Sequence, residues 1–218
     1  MTFDVIYRVI KRKINSVGIF PTIKLIINHL ITKFFYREYL LFYVDIPSYS
    51  FNPEEIGKHI IGKEIRCFTD LSSKDIESIR DYGGEDYIKE SKRRLSNNWI
   101  LFIAYINDEL VGAAWALTNT SDLKIKIVPL LDGDIAIINC WTNPSFRGRN
   151  VYPFLLSLVA KHFKERNFKR AFVSANERNI SSIKGIKTAG YQHFINYETY
   201  NLFRDEVVIW KSSKKTVS

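Results

Sequence analysis

Sulfur is scarce in this chain: 218 residues hold two cysteines and one methionine. Two cysteines cannot build a disulfide framework, and neither Cys67 nor Cys140 stands at a metal-site spacing from a histidine. No metal is expected, and both cysteines, set in apolar strand-like runs, read as reduced thiols of a cytoplasmic protein. Internal repeats and low-complexity tracts are also absent. Long uninterrupted apolar runs are missing too. The most apolar stretch, "IFPTIKLIINHLITKFF", is broken by Lys24, His29 and Lys33, short of the roughly 18–20 residues a membrane span requires. The opening "MTFDVIYRVIKRK" lacks the charged, apolar, small order of a secretory signal. These absences leave a soluble protein, or one attached to a membrane surface.

Acidic residues are outnumbered, 23 against 32 basic, for a formal charge of +9. Such an excess favours anionic partners: nucleic acid, anionic lipid or phosphorylated ligands. No helix-turn-helix, zinc or RNP-like pattern accompanies the lysines, so nucleic acid is not expected. With 46% hydrophobic residues the chain can bury one full core and an accessory segment.

Hydrophobic spacing predicts two amphipathic helices before residue 36, one over 3–16 and one carrying Ile23, Ile26, Ile27, Leu30, Ile31, Phe34 and Phe35 on one face. Gly18 separates them and Pro21 opens the second. "YLLFYVDI" reads as a strand and "PSYSFNP" as a linker, which places a boundary near residue 60. Residues 1–60 are then a basic helical extension, 61–212 a single domain and 213–218 a tail. Beyond the boundary come a strand at "KEIRCFT", two helices over 72–98, and strands "WILFIAYI" and "ELVGAAWALT" joined by a tight turn at Asn107–Asp108–Glu109. "LKIKIVPLL" is either strand or loop. "DIAIINCWT" is a buried strand and leads into a helix burying Val151, Phe154, Leu155, Leu158, Val159 and Phe163. A strand "RAFVSAN", a short helix ending at Gly190 and a closing hairpin complete the order. A mixed sheet with helices on both faces follows, an α+β arrangement.

Two segments carry chemistry. In "NPSFRGRNVYPFLLSLVAKHF", Arg147, Gly148 and Arg149 crowd the start of a helix. Helix starts present unpaired N–H groups and a partial positive charge, a seat for an anion. Downstream stands "NISSIKGIKTAGY". Asn179 there reads, on its own, as a helix N-cap.

Together the two segments resemble the GNAT superfamily of acyl-CoA-dependent N-acetyltransferases, across roughly residues 62–211. Arg147–Tyr152 stands in place of the family's pyrophosphate signature, with Asn150 and Tyr152 where small residues are usual. Asn179, Ser182, Gly190 and Tyr191 fit the second motif, and Ile186 occupies its tyrosine position. The resemblance implies a three-layer α/β/α mixed twisted sheet, behind a helical N-terminal extension. It implies acetyl-CoA as co-substrate, held by Arg147, Gly148, Arg149, Asn150, Val151 and Tyr152 at its diphosphate. Its pantetheine arm would lie along Cys140, Trp141 and Thr142 where two strands splay, near Asn179 and Ser182. Direct transfer to a small-molecule primary amine, amino sugars among them, is the activity implied, with a backbone N–H near Trp141 or Thr142 as oxyanion donor. A non-catalytic acyl-CoA-binding module is the alternative, since Ile186, Tyr152 and the lack of a glutamate in "GDIAIINCW" depart from the pattern.

Candidate catalytic groups are Asp134, His193 and Tyr191, with Glu198 as a further carboxylate and Tyr152 or solvent as further proton donors. Cys140 reads as a buried small residue rather than a nucleophile. For residues 1–40 two readings stay open: a membrane-surface helix that meets a lipid-linked acceptor, or a cap packed on the sheet or on a second subunit of a homodimer.

Overall fold

The computed structural model describes residues 18–21, 23–24, 36–118, 130–202 and 205–211. The helices expected over 3–16 and 23–35 fall largely outside these, as do "LKIKIVPLL" beyond Leu130 and the tail. Gly18 takes a left-handed φ of 89° and residues 19–21 and 23–24 are helical. No helix of the described residues is long and apolar enough to cross a membrane.

Eight strands form one sheet: β1 (Tyr36–Asp45), β2 (Ile61–Ile65), β3 (Ile100–Ile106), β4 (Glu109–Leu117), β5 (Asp134–Thr142), β6 (Arg170–Asn176), β7 (Gln192–Leu202) and β8 (Asp205–Lys211). Their spatial order is β2-β3-β4-β5-β6-β1-β7-β8. Among the described residues only β5 and β6 pair in parallel; every other pair is antiparallel. Strand β1 therefore lies between β6 and β7, far inside the sheet, although its residues precede the expected boundary. The linker 47–53 joins two strands of one sheet.

Four helices cover the faces: α1 (Pro53–Ile56), α2 (Ser73–Ser96), α3 (Val151–Lys164) and α4 (Ile180–Thr188). Side chains alternate along each strand, so β3 sends Leu101 and Ile103 to one face and Phe102 and Ala104 to the other. The first pair meets Ile79, Ile88 and Leu95 of α2; the second meets Phe154, Leu155, Leu156, Val159 and Phe163 of α3. Full burial of each such side chain contributes about 1.5–3 kcal/mol. The result is the expected α+β three-layer arrangement.

Local chemistry accounts for the details. Ser72 caps α2 and shares a reciprocal capping box with Asp75. Gly84, at φ 71° and ψ −172°, breaks α2 where two separate helices are expected. Asn107 and Asp108 both take positive φ, the geometry of a two-residue hairpin turn. Cys67 departs from expectation. It lies exposed before a short 3₁₀ turn, Phe68–Asp70, outside the strand, because Asp70 accepts its backbone N–H at 3.0 Å and turns the chain there.

Candidate functional site

Parallel pairing of β5 with β6 stops at Ile137 and Val173, yet β5 runs on to Thr142 and β6 to Asn176. On its other edge β6 pairs with β1 over its whole length, so Ser174–Asn176 are paired on that side alone. A wedge therefore opens between Ile138–Thr142 and Ser174–Asn176. On the opposite edge of β5, Asn143 N–H donates to Val111 O of β4 at 2.8 Å. Strand alternation then turns Trp141 toward β4 and points the N–H and C=O of Thr142 into the opening.

At the mouth of this wedge the chain turns through Pro144–Phe146 into α3. Gly148 has φ 77°, and a Cβ built on it meets nothing within 4 Å, so the backbone conformation and not crowding calls for glycine. Asn150 is left-handed at φ 62°, ψ 18°, and its side-chain amide donates to Ile56 O at 3.2 Å instead of capping α3. Among the described residues, none of the backbone N–H groups of 148–152 has a partner. Arg147 and Arg149 are exposed beside them, with Arg149 over the Phe146 ring at 5.1 Å. This row of free donors at the positive end of a helix fits a diphosphate.

Tyr152 fits where a small residue is usual because α4 makes room. Gly185 has no side chain, and a Cβ there would lie 2.7 Å from Tyr152 Cδ1. The phenol reaches the Cys140 thiol, which burial pushes up to about 12, so sulfur stays protonated. Burial likewise raises Tyr152 well above the usual phenol range. Val151, the first residue of α3, is buried, and Ile186 is fully buried in the same core. Asn179 caps α4, its Oδ1 accepting from Ser182 N–H at 3.1 Å and from Ser181 Oγ at 2.9 Å.

The candidate acid–base groups are not brought together. Asp134 lies at the paired end of β5, buried, where Arg170 grips it at 2.9 and 2.6 Å and Leu131 N–H adds 3.0 Å. Six residues of strand, about 20 Å, separate it from Cys140. Tyr191 is buried and donates to Leu156 O at 3.2 Å, tying its turn to α3. His193 sits on β7 opposite Phe42, with its Nε2 2.6 Å from Asn196 Oδ1. Two strands separate it from β5. Glu198 faces Glu38 across β1 and β7, and the Tyr36 hydroxyl lies within hydrogen-bond distance of both carboxylates, 2.7 Å from Glu198 and 2.5 Å from Glu38, with one proton to donate. The segments along the wedge, Ile138–Thr142 and Ser174–Asn176, contain no carboxylate or imidazole. Among the described residues no group of three His, Cys, Asp or Glu could hold a metal.

Two features near the wedge escape sequence reasoning. Tyr82, half-exposed at the break in α2, stacks on Trp141 at 4.7 Å and 15°. Arg94 of α2 reaches Asn139, which has φ 48° inside β5. The positive φ tolerance of asparagine was the only available signal.

Residues 66–191, more than half the chain, match the Acetyltransferase (GNAT) family. Solved structures share the fold. A GNAT-family acetyltransferase from Colwellia psychrerythraea has TM-score 0.53 and 12% identity, over 80% of this chain and 56% of its own. A GCN5-related N-acetyltransferase from Sphaerobacter thermophilus has TM-score 0.55 and 15% identity, over 84% and 55%. A glucosamine N-acetyltransferase region of a fungal multi-domain β-N-acetylglucosaminidase has TM-score 0.55 and 12% identity, over 82% and 22%. The chain thus spans little more than half the length of the two bacterial structures. No curated protein sequence was found to match. An opened β5–β6 pair, a donor-lined helix start behind it and a family match running through both make this chain a member of the GNAT acetyltransferase family.

Proposed function

We propose that the protein transfers an acetyl group from acetyl-CoA to a primary amine of a small molecule by direct attack. One observation carries this reading: the partnerless N–H row of 148–152 opens onto the unpaired half of β5. A diphosphate on that row, flanked by Arg147 and Arg149, would direct the pantetheine arm along Cys140–Thr142, toward Asn179 and Ser182. The Thr142 N–H would supply a donor in the wedge, and oxyanion donors of this kind are worth about 10²–10³ in rate.

Tyr191 is occupied by Leu156 O, which leaves the Tyr152 phenol, against Cys140, to give the departing thiolate its proton. The amine loses its own proton to water, since the wedge segments offer no carboxylate or imidazole. Cys140, held as a thiol, is not acylated on the way. Amino sugars are the acceptor class to examine first, because the Tyr82–Trp141 stack offers a flat apolar platform beside the wedge. The test is thiol release from acetyl-CoA across an amine panel that includes glucosamine, with thermal shift by acetyl-CoA, CoA and an oligonucleotide. Stabilisation by CoA species with amine-dependent thiol release is expected. Stabilisation without release would leave an acyl-CoA-binding module, and no stabilisation by either thioester or thiol would overturn the reading.

A further inference from the structure

Arg94 is a buried cation that the transfer chemistry does not use. Its side chain is 9% exposed. The guanidinium lies between the rings of Trp99, Trp115 and Tyr87, at 5.1, 5.2 and 5.9 Å from their centroids. Its Nε donates to Glu90 Oε1 at 2.9 Å. With the Asn139 amide turned so that its oxygen, and not its nitrogen, faces the guanidinium, the orientation that pairs donors with an acceptor, both terminal nitrogens converge on that oxygen at 2.5 and 2.8 Å. Removing an arginine from water costs several kcal/mol unless its donors are satisfied, and here much of that satisfaction comes from one residue of the reactive strand.

Asn139 lies where the pairing slips. Trp115 faces Ile138 and Ala113 faces Trp141, so two residues of β5, Asn139 and Cys140, stand opposite Ala114 alone. This is a β-bulge, and it shifts everything after it by one residue. Without it Ala113 would face Cys140. Trp141 would turn to the α3 side, and Trp141 rather than Thr142 would aim its N–H into the wedge. The bulge thus sets the phase of the strand on which the thioester would lie.

Resting on the acetyltransfer reading above, we propose that Arg94 and Asn139 are positioning residues. The guanidinium fork grips the Asn139 oxygen, locks the bulge, and fixes which amides of β5 face the acyl group. Glycine at 139 would tolerate the same φ without the grip, so φ alone does not account for an asparagine held by two donors.

The test compares Asn139→Gly with Arg94→Met and Arg94→Lys. Amide hydrogen exchange is followed at Trp141 and Asn143 in the ligand-free protein. Steady-state kinetics with acetyl-CoA and calorimetry with CoA complete the measurements. Asn139→Gly keeps the Arg94–Glu90 pair, so it reports even where Arg94→Met fails to fold. The expected result for Asn139→Gly is exchange at least about tenfold faster at both amides. Its kcat should fall about 10–100-fold, less than the 10²–10³ lost with an oxyanion donor outright. CoA affinity should stay within about twofold, because the diphosphate seat lies elsewhere. Arg94→Lys, a single point donor, should fall between. Wild-type exchange or wild-type kcat in Asn139→Gly overturns the proposal. If the unmodified protein acetylates no amine, the transfer reading fails, and exchange alone then decides the lock.

Discussion

Asp134 and Tyr152 show how far a side chain's surroundings can depart from what its place in the sequence suggests. A carboxylate at the head of the reactive strand looks like a base, but Arg170 closes on both its oxygens and the wedge lies at the strand's other end. Asp134→Asn should therefore lower stability by about 2 kcal/mol, less than the 3–5 of a fully buried pair because Arg170 is a third exposed. Its kcat, measured below the lowered melting point, should stay within about twofold. A kcat reduced a hundredfold in folded protein would restore Asp134 as the base. Tyr152, by contrast, substitutes for a small residue and fills the space left by Gly185. Tyr152→Phe should retain CoA binding and lose about 10²-fold in kcat, the lower end of what a positioned acid contributes. Stopped-flow thiol release reads this directly, and an unchanged rate would hand the proton to solvent.

At the scale of elements, the start of α3 and the second half of α2 each border the unpaired half of β5. Asn150 carries the left-handed turn that aligns the free N–H row. Asn150→Gly should leave CoA affinity within about threefold. Asn150→Val should cost about 1–2 kcal/mol of backbone strain and weaken CoA about tenfold by calorimetry. On α2, Arg93 first and then Arg94 hold the Glu90 carboxyl down at about 2, from an ordinary 4.5. A carboxyl depressed on folding adds stability above its unfolded pKa and loses it as pH falls toward the folded one. Urea midpoints should therefore decline between about pH 4.5 and 2, and Glu90→Gln should flatten that decline.

Legibility also divides by element. Most strands, the turn at Asn107–Asp108, the halves of α2 and the α3 start are written in local patterns and are found, while the strand expected over 63–69 ends at Ile65. The bulge at Asn139, the Arg94 fork and the Tyr152–Gly185 contact join residues distant in sequence, and hydrophobic period carries no trace of them.

For the whole molecule, the decisive feature is β1. Its tyrosine-rich residues pair with β6 on one side, from Tyr39↔Asn176 to Asp45↔Arg170, and with β7 on the other, from Tyr36↔Tyr200 to Tyr43↔Gln192. Leu41 and Phe42 are buried on opposite faces. On the edge of β6 away from β5, β1 pairs along the whole strand, including Ser174–Asn176, and so backs one wall of the wedge. Residues that precede the sequence boundary at 60 are thus part of the sheet that bears the site. A chain begun at residue 60 would expose the inner edges of β6 and β7 together, each with a full ladder of unpaired backbone groups. It should lose near-ultraviolet circular dichroism and cooperative urea unfolding and should aggregate, whereas the intact chain should unfold in one transition. A shortened chain with the full-length midpoint, still binding CoA, would mean that β7 can close on β6 unaided and that the wedge does not depend on β1.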